Sequence, residues 1–188
     1  MLFHSRPPLL MFRTLSFIVF ACASTVASAA TLQQLSMPQM AQSATAVVRA
    51  HVTGSYASFT GSTIYTHYKL QISETWKGSP GSEVMLPGGV ANGLRQSFPG
   101  VPQLQTGAEY VLFLWTSSTT GITHVIGLNQ GIFSLSQQSD GTMQANRARI
   151  GEGIYDSSGH AVQDHGMQMN LADMQTLVRQ NITTATVK

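Results

Sequence analysis

Residues 63–89, "TIYTHYKLQISETWKGSPGSEVMLPGG", decide the fold that this chain adopts. For ten residues two sets of side chains alternate, as they do on the two faces of a half-buried strand. One set is Ile64, Thr66, Tyr68, Leu70 and Ile72, and the other is Tyr65, His67, Lys69, Gln71 and Ser73. Such a strand is long compared with the usual length of about 5–6 residues. We therefore predict a long, bent strand in the wall of a small β-barrel, with the first set facing the core.

Turn signals and shorter strands follow this stretch. The sequence "KGSPG", residues 77–81, combines glycine with the fixed φ of proline and predicts a turn. A short strand is predicted at residues 82–87, and the segment 88–107, rich in Gly, Pro and Gln, predicts a long loop. Residues 109–116, "EYVLFLWT", are apolar at almost every position, which is typical of a strand buried on both faces.

Two helices and further strands complete the predicted order. Ser36 and Pro38 predict the cap and first turn of a short helix at residues 36–44. Residues 45–52 alternate as a strand, and residues 123–136 predict two strands joined as a hairpin around Asn129-Gln130-Gly131. A C-terminal helix is predicted over about residues 168–182 from its apolar face. The fold class is therefore mainly β, a small OB-like β-barrel with a short N-terminal helix and a C-terminal helix.

The first 29 residues carry the pattern of a secretory signal peptide. Arg6 and Arg13 precede the apolar run "LSFIVFACASTV" at residues 15–26, and the small residues "ASA" follow at 27–29. Basic, apolar and small residues in this order predict cleavage near Ala29, whether translation starts at Met1 or Met11. One domain, residues 30–188, is left, and we expect it in the periplasm or outside the cell.

Cys22 is the only cysteine of the chain, and it lies within that apolar run. A lipid anchor would require Cys22 to follow small residues in a lipoprotein signal, and the bulky Phe20 does not fit that pattern. The sequence therefore favours ordinary cleavage over acylation. The apolar run is also too short to span a bilayer comfortably, so we predict no membrane span.

The charge balance excludes partners that need a strongly basic surface. The chain has 10 Lys and Arg against 8 Asp and Glu, a formal net charge of +2. Both excess arginines belong to the predicted leader, so the rest of the chain is formally neutral. Nucleic acids and anionic membrane surfaces require a sustained basic field, and we predict neither as a partner.

Three segments resemble the OB-fold barrel of netrin-like domains and tissue inhibitors of metalloproteinases. They are "AVVRAHV" at 46–52, "IYTHYKLQISETWKGSPGSEV" at 64–84 and "GAEYVLFL" at 107–114. The resemblance implies a barrel fold and, by analogy, protease inhibition. Those inhibitors chelate the protease zinc through a cysteine at the mature N-terminus, and the predicted mature chain has none. Segments such as "GLNQGIFSL", residues 127–135, also resemble a group of exported bacterial proteins. That resemblance points to no particular activity.

Catalytic and metal-binding motifs are sparse. The sequence has no G-x-S-x-G elbow and no H-E-x-x-H helix motif. The segment "HAVQDH", residues 160–165, holds the one cluster of metal-capable side chains, His160, Asp164 and His165. A metal site needs several converging ligands, whereas flanking glycines favour an open loop here. We expect no cofactor and no tight metal site, and we keep these three residues as the alternative candidates.

Four cationic or titratable side chains form the other candidate site. Arg49, His51, His67 and Lys69 project from the predicted outward faces of two strands. Pairing of those strands would group them into a weakly basic patch able to hold an acidic group. The simpler interpretation is that they are ordinary solvated side chains on a sheet.

The sequence favours an exported, non-enzymatic binding or accessory protein whose partner is another exported protein. One alternative is a metal-dependent factor or enzyme that uses the loop at residues 160–165. The other alternative is a protease inhibitor, by fold analogy alone.

Overall fold

The structure, a computed structural model, describes residues 32–151 and 153–186. The predicted leader, its cleavage site and Cys22 lie outside these residues. Within the described part the chain forms twelve strands and two helices. In chain order these are β1 (Leu32–Gln33), α1 (Met37–Ser43), β2 (Ala46–Thr60), β3 (Thr63–Lys77), β4 (Glu83–Pro87), β5 (Gly89–Ala91), β6 (Leu94–Gln96), β7 (Glu109–Thr116), β8 (Thr123–Val125), β9 (Ile132–Gln137), β10 (Met143–Arg147), β11 (Ile154–Tyr155), β12 (Met167–Asn170) and α2 (Leu171–Thr186).

One large sheet of eight strands makes up most of the molecule. Its strand order is β12-β10-β9-β7-β2-β3-β4-β8, and β8 also pairs with β7, so the sheet curls back on itself. A single parallel pair, Met85 with His124, joins β4 to β8. The sheet is therefore strongly curled and barrel-like without being closed. The predicted mainly β class, with a helix near each end, is confirmed.

The antiparallel ribbon of β2 and β3 is the longest part of the sheet. Each strand has 15 residues, and Gly61 takes the positive φ that a two-residue hairpin turn needs at its first position. The register between them shifts three times, the last shift falling between Val52 and Gly54. Such bulges bend a strand and increase its twist. Two of the three extra residues, Ser73 and Trp76, lie in β3, and the third, Thr53, lies in β2. The predicted long, bent strand is confirmed, and the bulges of both strands account for the curl.

Two apolar clusters lie on opposite faces of the curled sheet. Inside the curl, Leu70 of β3 and Leu112 of β7 pack with residues from β2 and β4. On the outer face, Phe113 of β7 packs with Phe133 of β9 and with both helices. Strand β7 supplies side chains to both clusters, which confirms the prediction that it is buried on both faces.

The helices cover the outer cluster. Ser36 caps α1, because its side chain and that of Gln39 each bond the other's backbone in a capping box. The predicted helix at residues 168–182 begins later, since residues 167–170 form β12 against β10. The Asn170 side chain then accepts a hydrogen bond from Ala172 N at the start of α2. No helix in the described residues is long and apolar enough to cross a membrane.

Two sequence predictions of local structure are wrong. Residues 123–137 do not form a hairpin, because β8 and β9 both pair with the same edge of β7. The segment between them forms a short loop outside the sheet, and a hydrogen bond of 3.1 Å from Gly131 N to Ile126 O closes this loop. The predicted loop at 88–107 contains the hairpin β5–β6, whose turn residues Asn92 and Gly93 both have positive φ.

Candidate functional site

The structure distributes the four residues of the predicted basic patch along the outer face of the β2–β3 ribbon. Arg49 Nε lies 2.7 Å from Glu109 Oε1, and its Nη1 lies 2.9 Å from Glu74 Oε1. His51 Nδ1 is 3.6 Å from the same Glu109 oxygen. The hydrogen bonds that Arg49 donates to the Glu109 carboxylate raise the pKa of Arg49 above its ordinary value, although burial opposes this. This end of the patch is therefore balanced by carboxylates instead of being basic.

The prediction that His67 is a solvated side chain is wrong. Its side chain is only 11% exposed, because the ring of Tyr56 stacks on it with centroids 4.5 Å apart and planes 9° apart. Lys69 stays exposed, with its Nζ 6.0 Å from the centroid of the same Tyr56 ring. Sequence alternation could not reveal this, because the cover comes from the facing strand.

His67 joins a line of hydrogen bonds that crosses three strands. Its Nδ1 lies 2.7 Å from Glu83 Oε1 on β4, and its Nε2 lies 2.9 Å from Ser58 Oγ on β2. An ionised carboxylate only accepts, so a neutral imidazole carries its proton on Nδ1 and leaves Nε2 free to accept from the Ser58 hydroxyl. A hydroxyl, a base and an orienting acid in this order match the arrangement that activates a nucleophilic serine.

Tyr56 completes this group of side chains. Its hydroxyl lies 3.2 and 3.1 Å from the two carboxylate oxygens of Glu83. Desolvation, together with the hydrogen bond to the Glu83 carboxylate, raises the pKa of Tyr56 above its ordinary value. The phenol therefore stays protonated and keeps donating to Glu83 at neutral pH.

The second candidate cluster, residues 160–165, does not bring its three side chains together. Asp164 is buried, and its two carboxylate oxygens accept from Arg147 Nη2 at 2.6 Å and Nη1 at 2.9 Å. His160 is 79% exposed and lies 3.5 Å from Asp156, and His165 is exposed. In residues 32–151 and 153–186, no three His, Cys, Asp or Glu side chains are grouped closely enough to hold a metal ion.

Asp164 instead serves the fold. It also accepts a hydrogen bond of 2.7 Å from Ile150 N, so its carboxylate ties β10 and the following turn to the 160–165 loop. Burial opposes its ionisation, but the bonds from Arg147 and Ile150 and the charge of Arg147 outweigh burial and lower the pKa of Asp164. This carboxylate is occupied by its ion pair and has no role as a free ligand.

A cleft of about 400 Å³ opens at the other end of the ribbon, between β2, the β5–β6 hairpin and the following loop. Residues 55–57 of β2 line one wall, and residues 101–104 and Phe98 line another. Tyr68 lies 4% exposed among the lining residues, and burial raises its pKa above the ordinary value. This volume falls in the range of ligand-binding pockets, about 300–1,000 Å³.

Hydrogen bonds between the β5–β6 hairpin and β3 hold the hairpin against the ribbon. Gln96 accepts from Ile64 N at 2.6 Å and donates to Ser62 O at 2.9 Å. Thr66 Oγ1 donates to Gly88 O at 2.7 Å. At Gly89, which has a φ of 139°, a Cβ would lie 2.6 Å from Thr66 Oγ1, so only glycine allows this close approach. The wall of the cleft is thus positioned by specific contacts.

Exposed apolar side chains and one charge border the cleft, whose lining also includes polar side chains. Val90 and Phe98 line the cleft and are 51% and 40% exposed. Leu94 on the same hairpin and Phe59 near the tip of the ribbon are further exposed apolar side chains, outside the lining. Among the described residues that line the cleft, Arg95 is the only charged one. Arg95 is exposed and makes no ion pair within the part of the chain that the structure describes. An apolar rim around one unpaired cation suits a ligand with apolar groups and an acid.

Sequence reasoning missed this cleft because its walls come from segments far apart in the chain. The dipeptide Asn92-Gly93 between two short runs is a known hairpin signal, and it would have located β5 and β6. Nothing local marks residues 101–104 as their neighbours. Comparison with models of known protein families finds no match, and no curated protein matches the chain.

Proposed function

We propose that this chain is an exported binding module that captures a segment of another exported protein in the cleft beside β5 and β6. The observation that carries the proposal is the group of exposed apolar side chains around an open, one-charge cleft. Soluble proteins rarely keep a contiguous apolar patch exposed unless it meets a partner. Aromatic side chains and arginine, present here as Phe98 and Arg95, are also the side chains that dominate protein interfaces.

Rim variants test this proposal. Dodecapeptides displayed on phage are selected on the purified protein, and the affinity of an enriched synthetic peptide is measured by fluorescence anisotropy. We expect Phe98→Ser and Val90→Ser each to weaken binding by about 10-fold or more, as loss of an interface anchor does. Arg95→Gln should weaken binding of peptides that carry a carboxylate.

The matched control is Leu177→Ser, which removes another exposed apolar side chain from α2, outside the cleft. It should leave the affinity unchanged, and thermal melts should show that all variants are folded. If no peptide is enriched, or if the rim variants bind as tightly as the unmodified protein, the cleft is not a protein-binding site.

A second candidate function, acyl transfer, is favoured by the hydrogen-bond line of Ser58, His67 and Glu83. In this reaction Ser58 Oγ attacks an ester carbonyl while its proton passes to His67 Nε2. The alcohol leaves with that proton, and water then releases the acid from the acyl-serine. This enzyme hypothesis replaces the one that used residues 160–165. The side chains of Ser58, His67 and Glu83 lie within hydrogen-bond distance of one another, whereas those of His160, Asp164 and His165 do not.

Covalent labelling distinguishes the two functions. A fluorophosphonate reacts with an activated serine by forming an O–P bond and losing fluoride. If Ser58 is activated, intact-mass and peptide analysis should find one adduct at Ser58, and His67→Gln should abolish it. Ser55, an exposed serine on the same strand, is the internal control and should stay unlabelled. Equal labelling of both serines, or of neither, would rule out acyl transfer at this site.

A further inference from the structure

The half of β2 that borders the cleft has an edge along which no other described strand lies. Strand β7 pairs with β2 only over residues 46–51, and Val52 adds two hydrogen bonds, to Ala108 O and from Gly107 N. Beyond Val52, within residues 32–151 and 153–186, β2 pairs with β3 alone up to the hairpin turn. Residues 53–60 therefore form an edge strand on the side away from β3.

The register identifies which backbone groups point away from β3. In β3, Ile64 O accepts from Gly88 N and Leu70 N donates to Ser82 O, so even-numbered residues bond towards β4. Odd-numbered residues such as His67 bond towards β2, where His67 is paired with Tyr56. The residues of β2 on either side of Tyr56 therefore direct their N–H and C=O groups to the open edge.

Three residues, Ser55, Ala57 and Phe59, present six such groups at this edge. None of the six makes a hydrogen bond to another residue in the described part of the chain. The bulge at Thr53 sets this alternation, because it shifts the pairing by one residue after Val52. Unpaired edge groups in a row form a template for another strand.

Beyond the bulge at Thr53, this edge has no charged residue or proline to protect it from strand addition. Its sequence, "TGSYASFT" at residues 53–60, contains no charge and no proline. It is long enough for an added strand of ordinary length, about 5–6 residues. The side chains of Ser55 and Ala57 line the cleft, so a strand added here would lie along its mouth.

We propose that the occupant of the cleft is an extended segment of another protein, which adds to β2 as a strand. This inference rests on the proposed binding function and specifies its geometry. Main-chain bonds to Ser55, Ala57 and Phe59 hold the segment. Alternate side chains of the segment enter the cleft, where they are apolar, and a carboxylate pairs with Arg95. A carboxylate is favoured over a cationic group because Arg95 is positively charged and no acid lies among the described lining residues.

An N-methyl scan of an enriched dodecapeptide tests the geometry. Each methyl group removes one peptide N–H, and in an added strand only every second N–H faces the protein. Methylation should weaken binding by about 10-fold at alternate positions and by less than about 2-fold at the positions between them, in line with the loss of one main-chain bond. Because the scan modifies the peptide alone, it does not depend on the folding of a variant.

A variant of the edge gives the complementary measurement. Ser55→Pro removes an N–H that β3 does not use, so the fold tolerates it at an edge, and the affinity for the peptide should fall by about 10-fold. Ser55→Ala keeps the N–H and removes only the hydroxyl, so the affinity should fall by less than it does in Ser55→Pro. Hydrogen exchange at Ala57 and Phe59 should slow when the peptide is bound.

The outcomes separate this inference from the proposed function. If Phe98→Ser weakens binding but the scan shows no alternation, the cleft binds protein and strand addition is wrong. If Phe98→Ser has no effect, the proposed function itself is wrong. If light scattering shows a dimer that Ser55→Pro converts to a monomer, the occupant of the edge is a second copy, and the inference is overturned.

Discussion

Arg147→Met should destabilise the protein by about 3–5 kcal/mol, the usual cost of removing one partner of a buried ion pair. The side chains of Arg147 and Asp164 are only 7% and 3% exposed, and two hydrogen bonds join them. Without the guanidinium, the Asp164 carboxylate remains buried with only backbone donors. Urea unfolding followed by circular dichroism measures the change in the free energy of unfolding.

The neighbouring Arg149 is the matched control. It is exposed and makes no ion pair within the described residues, so Arg149→Met should change stability by no more than about 0.5 kcal/mol. The double variant Arg147→Met, Asp164→Asn should recover part of the loss, because no charge is then left buried without a partner. Equal effects of the two single variants would show that the pair is not a buried structural contact.

The pH dependence of stability provides an independent measurement of the same pair. The folded-state pKa of Asp164 lies below its ordinary value, so the carboxylate contributes stability above the pKa of the unfolded chain. That contribution is lost as the pH falls from the unfolded-state pKa, about 3.9, through the lower folded-state pKa. Asp164→Asn should therefore flatten the stability profile in this acidic range and leave its shape near pH 7 unchanged.

Leu70→Ala should cost about 2–5 kcal/mol, because it opens a cavity in the cluster inside the curl. Lys69→Ala, one position away on the exposed face, should cost no more than about 0.5 kcal/mol. Alanine substitutions at each position from 67 to 72, measured by denaturant unfolding, extend the comparison along β3. We expect large losses at Tyr68 and Leu70 and small losses at 69 and 71.

His67 is the expected exception to this alternation. It belongs to the outer face, but Tyr56 and Glu83 bury it, and His67→Ala would leave Ser58 without its bond to the imidazole. A substantial loss at His67 with small losses at 69 and 71 therefore fits the structure. Comparable losses at 69, 70 and 71 would contradict both the register of β3 and the placement of the core.

The face on which each candidate site residue lies could be predicted from local sequence, but its partners could not. Arg49, His51, His67 and Lys69 lie on the outer face, as the alternation of β2 and β3 predicts, and only the burial of His67 was not predicted. Their acidic partners could not be predicted, because Glu74, Glu83 and Glu109 reach them only through strand pairing. The likeness to netrin-like domains, the export signal and the partner all stay predictions.

The sequence by itself determined the elements whose signals are local. Period-two alternation specified β3 and the face of Leu70, and continuous apolar character specified β7. Ser36 at the cap and Pro38 in the first turn specified the start of α1. Tertiary structure alone decided the ion pair of Asp164 with Arg147, the burial of His67, the cleft and the open edge of β2. The physical reason is that periodicity and capping act within a few residues, whereas burial and pairing depend on which distant segments meet. In this chain the bulges of β2 and β3 and the curl of the sheet determine which distant segments meet.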